Sequence, residues 1–298
     1  MSLSLELKKF INSEHTGEYV DIILPYGTRG EEMTVKMHYM DEGTGEPLIL
    51  VHSFAQSIYT WNKLYKSLSE HYRVVAVDLF GHGHSDCPKY FEYNIEDHVN
   101  SLLLLMDALN IKSAHFLGFS MGTGYCLALA QKHPERVGRM VLMSPGGITP
   151  EMPPALRMLK SPILGSWFSA TLNEKIVENV LNECFLDLTT VTNERIDGYY
   201  SILCDKEQKK AIRKTVRNFD DEDLASALRS IDVPTLILWP SEDKWHTLSM
   251  AELYHAAMKD ASFAVIRNAG HLLHEEKPEK ILAAVLEFIP SAMPKVEA

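Results

Sequence analysis

The chain predicts an α/β protein: a mostly parallel central sheet with helices on both faces. Two short apolar runs, Pro47-Leu-Ile-Leu-Val51 and Arg73-Val-Val-Ala-Val77, show no alternation, as strands buried on both faces do. Strand and helix patterns then alternate along most of the chain, and that repetition builds a parallel sheet covered on both sides. The length, 298 residues with 46% hydrophobic and 23% charged, is enough for a sizeable core without a disulfide or metal staple.

Taken in order, residues 19–24 and 33–40 read as strands, the second with Met33, Val35, Met37 and Tyr39 on one face. Residues 47–51 and 73–77 are the buried strands, and residues 59–71 between them read as a helix. Ile95, Val99, Leu102, Met106 and Leu109 recur at helical spacing behind Asn94, an N-cap with Asp97 at N3. Strand 114–118, helix 121–132 and strand 139–143 follow. Much later come strand 235–239, helix 249–259, strand 263–266 and helix 278–288, the last with Pro278 at its start and Ile281, Leu282, Val285, Leu286 and Ile289 on one stripe. No internal repeat or low-complexity segment interrupts this order.

The alternation breaks between about Gly147 and Arg229. That segment opens rich in proline (Pro150, Pro153, Pro154, Pro162) and carries Met152, Leu156, Met158, Leu159, Ile163, Leu164, Trp167 and Phe168. It is too long for a simple connection. The expected organisation is therefore a core of residues 1–146 and 230–298, with residues 147–229 forming a helical cap over the sheet's C-terminal edge, where open α/β sheets bind ligands.

Charge and composition narrow the function. Lys and Arg total 29 against 40 Asp and Glu, a formal charge of −11 that repels phosphate backbones and anionic lipid. Nucleic-acid and membrane-surface partners are therefore not expected. The ten N-terminal residues place Glu6, Lys8 and Lys9 where a signal peptide needs an apolar run, and no stretch of about 20 apolar residues exists. Cys87, Cys126, Cys184 and Cys204 lie far apart with no C-x-x-C pair, which fits a reducing, cytoplasmic setting.

The chemistry concentrates in Gly118-Phe119-Ser120-Met121-Gly122, a G-x-S-x-G between an expected strand and an expected helix. Chance supplies roughly 0.1 such matches in a chain this long, so the strand–turn–helix setting carries the weight. A strand turning straight into a helix strains its middle residue and exposes that side chain, and small residues two positions either side avoid collision. Ser120 would then sit over the positive end of a helix. The plain alternative is a glycine-rich turn with a solvated serine.

These residues resemble the α/β-hydrolase superfamily in its cap-bearing, carboxylesterase-like branch, and the likeness spans nearly the whole chain. The resemblance implies a nucleophile, an acid and a histidine in that order. Leu236-Ile-Leu-Trp-Pro-Ser-Glu-Asp243 is similar to the late strand and acid loop, which makes Asp243 the acid. Asn268-Ala-Gly-His271 is similar to the histidine loop, which makes His271 the base. Glu242 is the competing acid; a strand end at Asp243 and a helix start at His271 are the bland readings. No carboxylate follows strand 139–143 in Met143-Ser-Pro-Gly146, where some relatives carry the acid.

The resemblance also implies an oxyanion hole from the backbone N–H of Met121 and, in Val51-His-Ser-Phe-Ala55, of Phe54. The family usually has glycine where this chain has Ser53, so a side chain there alters the loop or adds a hydroxyl near the substrate's oxygen. Ser53, Phe119, Trp167 and Trp245 are the expected substrate-binding residues. His52 and His274 are expected to be structural, and Trp245 and His246 to be either pocket-lining or surface residues. Asp78-Leu-Phe-Gly-His-Gly-His-Ser85 resembles a structural loop of the family. Its His82 and His84 lack the company a metal site needs, and its glycines lack the third member of a dinucleotide motif.

The expected activity is that of a cofactor-free, metal-free serine carboxylesterase, a monomer or small homo-oligomer acting on a small acyl or aromatic ester. Thioester, lactone and carbon–carbon bond hydrolysis and perhydrolysis use the same triad. A hydrolase-like ligand receptor is the reading from a different class.

Overall fold

A computed structural model describes residues 17–26, 30–146, 159–161, 165, 171–220, 226, 228–258 and 261–290. Among them, β1 (Glu18–Tyr26), β2 (Glu31–Glu42), β3 (Pro47–Val51), β4 (Arg73–Val77), β5 (Ala114–Phe119), β6 (Val137–Met143), β7 (Thr235–Pro240) and β8 (Ser262–Ile266) form one sheet. Its order is β1-β2-β4-β3-β5-β6-β7-β8. β1 and β2 pair antiparallel, as do β2 and β4; every later pair is parallel. This is the α/β-hydrolase fold.

The centre of the sheet explains its own sequence. Leu48 and Leu50 belong to one hydrophobic cluster and Ile49 and Val51 to the other, all four fully buried. Successive strand side chains point to opposite faces, so a strand with helices on both sides can spare no polar position.

The chain runs outward from β3 to β4 and then returns to pair β5 with the other side of β3. The C-terminal ends of β3 and β5 therefore lie side by side where the winding direction reverses, the position at which such sheets bind ligands. The Ser53 loop leaves one of these strands and Ser120 leaves the other. β7 and β8 deliver the loops that carry Asp243 and His271 from the same edge.

Of the helices, α1 (Tyr65–Ser69) is short, while α2 (Ile95–Ala108) and α3 (Met121–Lys132) cover the sheet. The expected cap of α2 is present: the Asp97 N–H donates to Asn94 Oδ1 at 2.8 Å. Residues 59–71 do not form the single helix that the sequence suggests. A 3-10 turn, Ile58–Trp61, precedes α1. The Ile58 N–H is taken by Asp78 Oδ1 at 2.7 Å, and the Asn62 side chain donates to the Tyr59 carbonyl at 2.7 Å. Side-chain bonds to the backbone there compete with helix propagation.

Between β6 and β7 lie α4 (Glu174–Cys184), α5 (Asn193–Tyr200) and α6 (Lys206–Asn218). Asn173, Thr192 and Asp205 cap their N-termini through side-chain oxygens. α6 docks on the segment that follows β4. Lys214 Nζ reaches the Phe91 carbonyl and Glu92 (both 2.8 Å), and Gln208 donates to the Gly83 carbonyl. After β7 come α7 (Leu248–Ala257), α8 (Leu273–Glu276) and α9 (Pro278–Phe288). No helix among the described residues is long and apolar enough to cross a membrane.

Candidate active site

Ser120 stands at the junction of β5 and α3 with φ +49° and ψ −117°, a strained backbone conformation for a residue with a side chain. Its N–H donates to the Met143 carbonyl at 2.9 Å, and its own carbonyl accepts from the Thr123 N–H (3.0 Å) and hydroxyl (2.5 Å). The flanking glycines are required by contact. A Cβ on Gly122 would lie 2.5 Å from the carbonyl oxygens of Val51 and His52, and one on Gly118 would lie 2.9 Å from Cys126 Sγ. The same tight packing brings the β3 loop against the start of α3.

The three residues named for the triad meet. His271 Nε2 lies 3.2 Å from Ser120 Oγ, and His271 Nδ1 lies 2.8 Å from Asp243 Oδ2. Asp243 Oδ1 accepts the backbone N–H groups of Trp245 (2.8 Å) and His246 (2.9 Å), so both carboxylate oxygens are committed. Burial alone pushes the Asp243 carboxyl up, but the His271 and His246 imidazoles and these hydrogen bonds outweigh it and hold the group down at about 2. A charged carboxylate behind Nδ1 fixes that nitrogen as the protonated one, which leaves Nε2 to accept from the serine hydroxyl.

Aromatic rings enclose the imidazole. Phe119, fully buried, packs at 5.0 Å between ring centres, Trp245 at 5.2 Å and His246 at 4.8 Å edge-on. Trp245 also donates from Nε1 to Glu183 Oε2 of α4 at 3.2 Å. His246 donates from Nδ1 to the Ser144 carbonyl at 2.9 Å, and burial, then the neighbouring His271, lowers it to about 4. Trp167 lies outside the described residues.

Asp243, His246 and His271 also form the one group of three potential metal ligands found among the described residues. Asp243 Oδ2 and His271 Nδ1 already bond to each other, and His246 Nδ1 bonds to the Ser144 carbonyl.

The β3 loop presents Ser53 to this centre. The Met121 N–H points at Ser53 Oγ, 3.3 Å away. The Phe54 N–H has no acceptor among the described residues. His52 supports the loop from beneath: Nδ1 donates to the Ser53 carbonyl at 2.7 Å while Nε2 accepts from the Leu79 N–H at 3.0 Å. That geometry needs a neutral ring, and burial lowers its pKa accordingly. Asp78 anchors the neighbouring loop, accepting from His38 Nδ1 (2.8 Å), the Ile58 N–H and the His84 N–H (2.9 Å). His84 thus takes part through its backbone.

Two supports were not legible in the sequence. Glu276 accepts from the Gly270 N–H (2.6 Å) through one oxygen and from the Leu186 and Asp187 N–H groups (both 3.0 Å) through the other. It joins the histidine loop to the segment after α4, where the Leu272 N–H also donates to the Cys184 carbonyl at 3.3 Å. Further in, Thr60 Oγ1 lies 2.8 Å from His274 Nε2 and 3.0 Å from the Tyr199 hydroxyl, which donates to Glu275. Arg195 Nε sits 3.1 Å from Glu275 Oε2 as an ion pair, without the alignment of a hydrogen bond. No local motif marks these residues, because their partners are distant in sequence.

The sequence pattern of the α/β hydrolase fold matches residues 46–191. A 2-hydroxy-6-oxononadienedioate/2-hydroxy-6-oxononatrienedioate hydrolase from Paraburkholderia phymatum is 28% identical over 92% of this chain and 96% of its own. The solved meta-cleavage product hydrolase of Pseudomonas fluorescens IP01 superposes with TM-score 0.75 at 28% identity, covering 85% of this chain and 94% of that one. A thermophilic esterase from Thermogutta terrifontis gives TM-score 0.75 at 25% identity, covering 91% and 97%. With its fold, its sequence pattern and these relatives in agreement, the chain belongs to the α/β-hydrolase superfamily.

Proposed function

We propose that the protein is a serine carboxylesterase in which Ser120 is the nucleophile, His271 the general base and Asp243 the acid. The observation that carries this reading is the continuous hydrogen-bonded line from Asp243 through His271 to Ser120. His271 Nε2 takes the Ser120 proton as Oγ attacks the ester carbonyl. The carbonyl oxygen becomes an anion held by the N–H groups of Met121 and Phe54. His271 then returns the proton to the leaving alcohol, activates a water, and the acyl group leaves as the acid. Ser53, Phe119, Trp167 and Trp245 are assigned to the substrate's surroundings, and residues 147–229 to a cap over the site. The substrate is a small-molecule ester, with neither nucleic acid nor membrane as partner. Four free cysteines suit a cytoplasmic location.

Carbon–carbon bond hydrolysis is the second reading, supported by the dienedioate hydrolase and the meta-cleavage product hydrolase among the relatives. The same nucleophile and base would serve it. A dienedioate brings carboxylates that call for a cation, whereas Arg195, the one buried cation among the described residues, is paired with Glu275 and bonded to the Thr190 carbonyl.

The test compares wild type with Ser120→Ala on short p-nitrophenyl esters and on a vinylogous diketone acid, with fluorophosphonate labelling alongside. Ester turnover and labelling by wild type, both lost in Ser120→Ala, are expected. Equal turnover by the two proteins removes Ser120 as nucleophile. Diketone cleavage without ester turnover moves the assignment to carbon–carbon hydrolysis. A single product molecule per chain, with a thermal shift on ligand binding, marks a receptor.

A further inference from the structure

We infer that the Ser53 side-chain hydroxyl is a third hydrogen-bond donor to the oxyanion, a catalytic residue beyond the two backbone N–H groups. This rests on the serine-hydrolase reading above and adds a group to it. Ser53 Oγ sits 3.3 Å from the Met121 nitrogen, on the line along which that N–H points. In the resting enzyme the hydroxyl oxygen therefore occupies the direction in which the oxyanion must later lie. A bond of this length is weak and readily exchanged for one to an anion.

The rest of Ser53 is fixed. Its N–H donates to Gln56 Oε1 at 3.2 Å, and its carbonyl accepts from His52 Nδ1 at 2.7 Å. Ser53 is not among the residues with positive φ, so the loop at this point imposes no demand for glycine. The side chain is nearly buried, at 7% exposure, between the β3 loop and the start of α3. Only rotation about its Cα–Cβ and C–O bonds remains.

When Ser120 Oγ bonds to the carbonyl carbon and its proton passes to His271 Nε2, negative charge collects on the former carbonyl oxygen. The Met121 N–H turns from Ser53 Oγ to that oxygen, and the Ser53 hydroxyl, now without its resting donor, points its own hydrogen the same way. It keeps its proton throughout. Charge-assisted bonds of this kind are stronger than neutral ones, and donors that strengthen only as the charge develops raise the rate rather than ground-state binding.

The alternative geometry is a plug: a hydroxyl that merely satisfies Met121 and must be displaced. The two roles predict opposite signs. Ser53→Ala and Ser53→Thr are compared with wild type for kcat and KM on a p-nitrophenyl ester, for the rate of fluorophosphonate labelling of Ser120, and for inhibition by an alkyl boronic acid, whose adduct carries a tetrahedral oxygen. Loss of an oxyanion donor costs about 10²–10³ in rate. For Ser53→Ala we expect a fall of at least about 10-fold in kcat, KM within about two-fold of wild type, and weaker boronate inhibition in proportion. Ser53→Thr should recover most of the loss, with all three proteins melting at similar temperatures. Unchanged or faster turnover in Ser53→Ala, or a loss matched by a fallen melting temperature and not restored by threonine, overturns the assignment. If wild type neither turns over esters nor labels, the hydrolase reading fails and this assignment fails with it. Labelling that is equal in wild type and Ser53→Ala sinks only the assignment.

Discussion

Asp243 shows how much a single atom type decides. Its Oδ1 accepts two backbone N–H groups while Oδ2 faces His271 Nδ1. In Asp243→Asn the amide oxygen can keep the two N–H bonds, which turns the NH2 group toward His271. The imidazole must then present a lone pair at Nδ1 and a hydrogen at Nε2, the wrong tautomer for accepting from Ser120. A fall of about 10⁴ in kcat is expected, read from ester turnover, with the melting temperature little changed. The residues of this line are legible because each sits in a short local pattern: a glycine-flanked serine, an acid after a late strand, a histidine after the next one. Glu276 and Tyr199 lack any such pattern. Their value comes from contacts 90 and 139 positions away, which no local spacing encodes.

At the scale of elements, α5 is fastened to the core by buried polar groups. Glu275 is fully enclosed, and burial raises its carboxyl pKa. Arg195→Leu would leave that carboxylate without its cation, a change that costs about 3–5 kcal/mol when a buried pair is broken on one side. We expect a loss at the lower end in urea unfolding, because Tyr199 still donates to Glu275. Adding Glu275→Gln should recover most of it by removing the stranded charge. The elements themselves were readable where one signal acted alone, as in α2 with its Asn94 cap or the apolar runs of β3 and β4. Residues 59–71 depart from the single helix the sequence suggests: a 3-10 turn ends at Trp61, and the Asn62 side chain donates to the Tyr59 carbonyl before α1 begins, a local competition that apolar spacing does not reveal.

Across the whole molecule, several histidines are buried neutral. Burial lowers His82 and His274 to about 3 and His246 to about 4, and holds His98 well below its usual value. All four depart downward from 6.5, so the unfolded chain takes up protons first as the solution is acidified. Their contribution is complete above about pH 6.5 and is lost progressively as pH falls toward the folded values. Glu275, shifted upward, acts in the opposite sense above its ordinary value but is a single group. The melting temperature should drop by more than about 5 °C between pH 7 and pH 5. A flat profile in differential scanning calorimetry would contradict this. His98 makes the case sharpest: neither ring nitrogen has a hydrogen-bond partner among the described residues, while the Phe91 and Tyr125 rings pack around it. His98→Phe should therefore raise the melting temperature and soften the acid sensitivity. A last consequence follows from Glu276, whose two oxygens grip the backbone just before His271 and the backbone just after α4. Glu276 thus couples the two segments, and a displacement of the backbone after α4 would be transmitted through one carboxylate to the residue preceding His271.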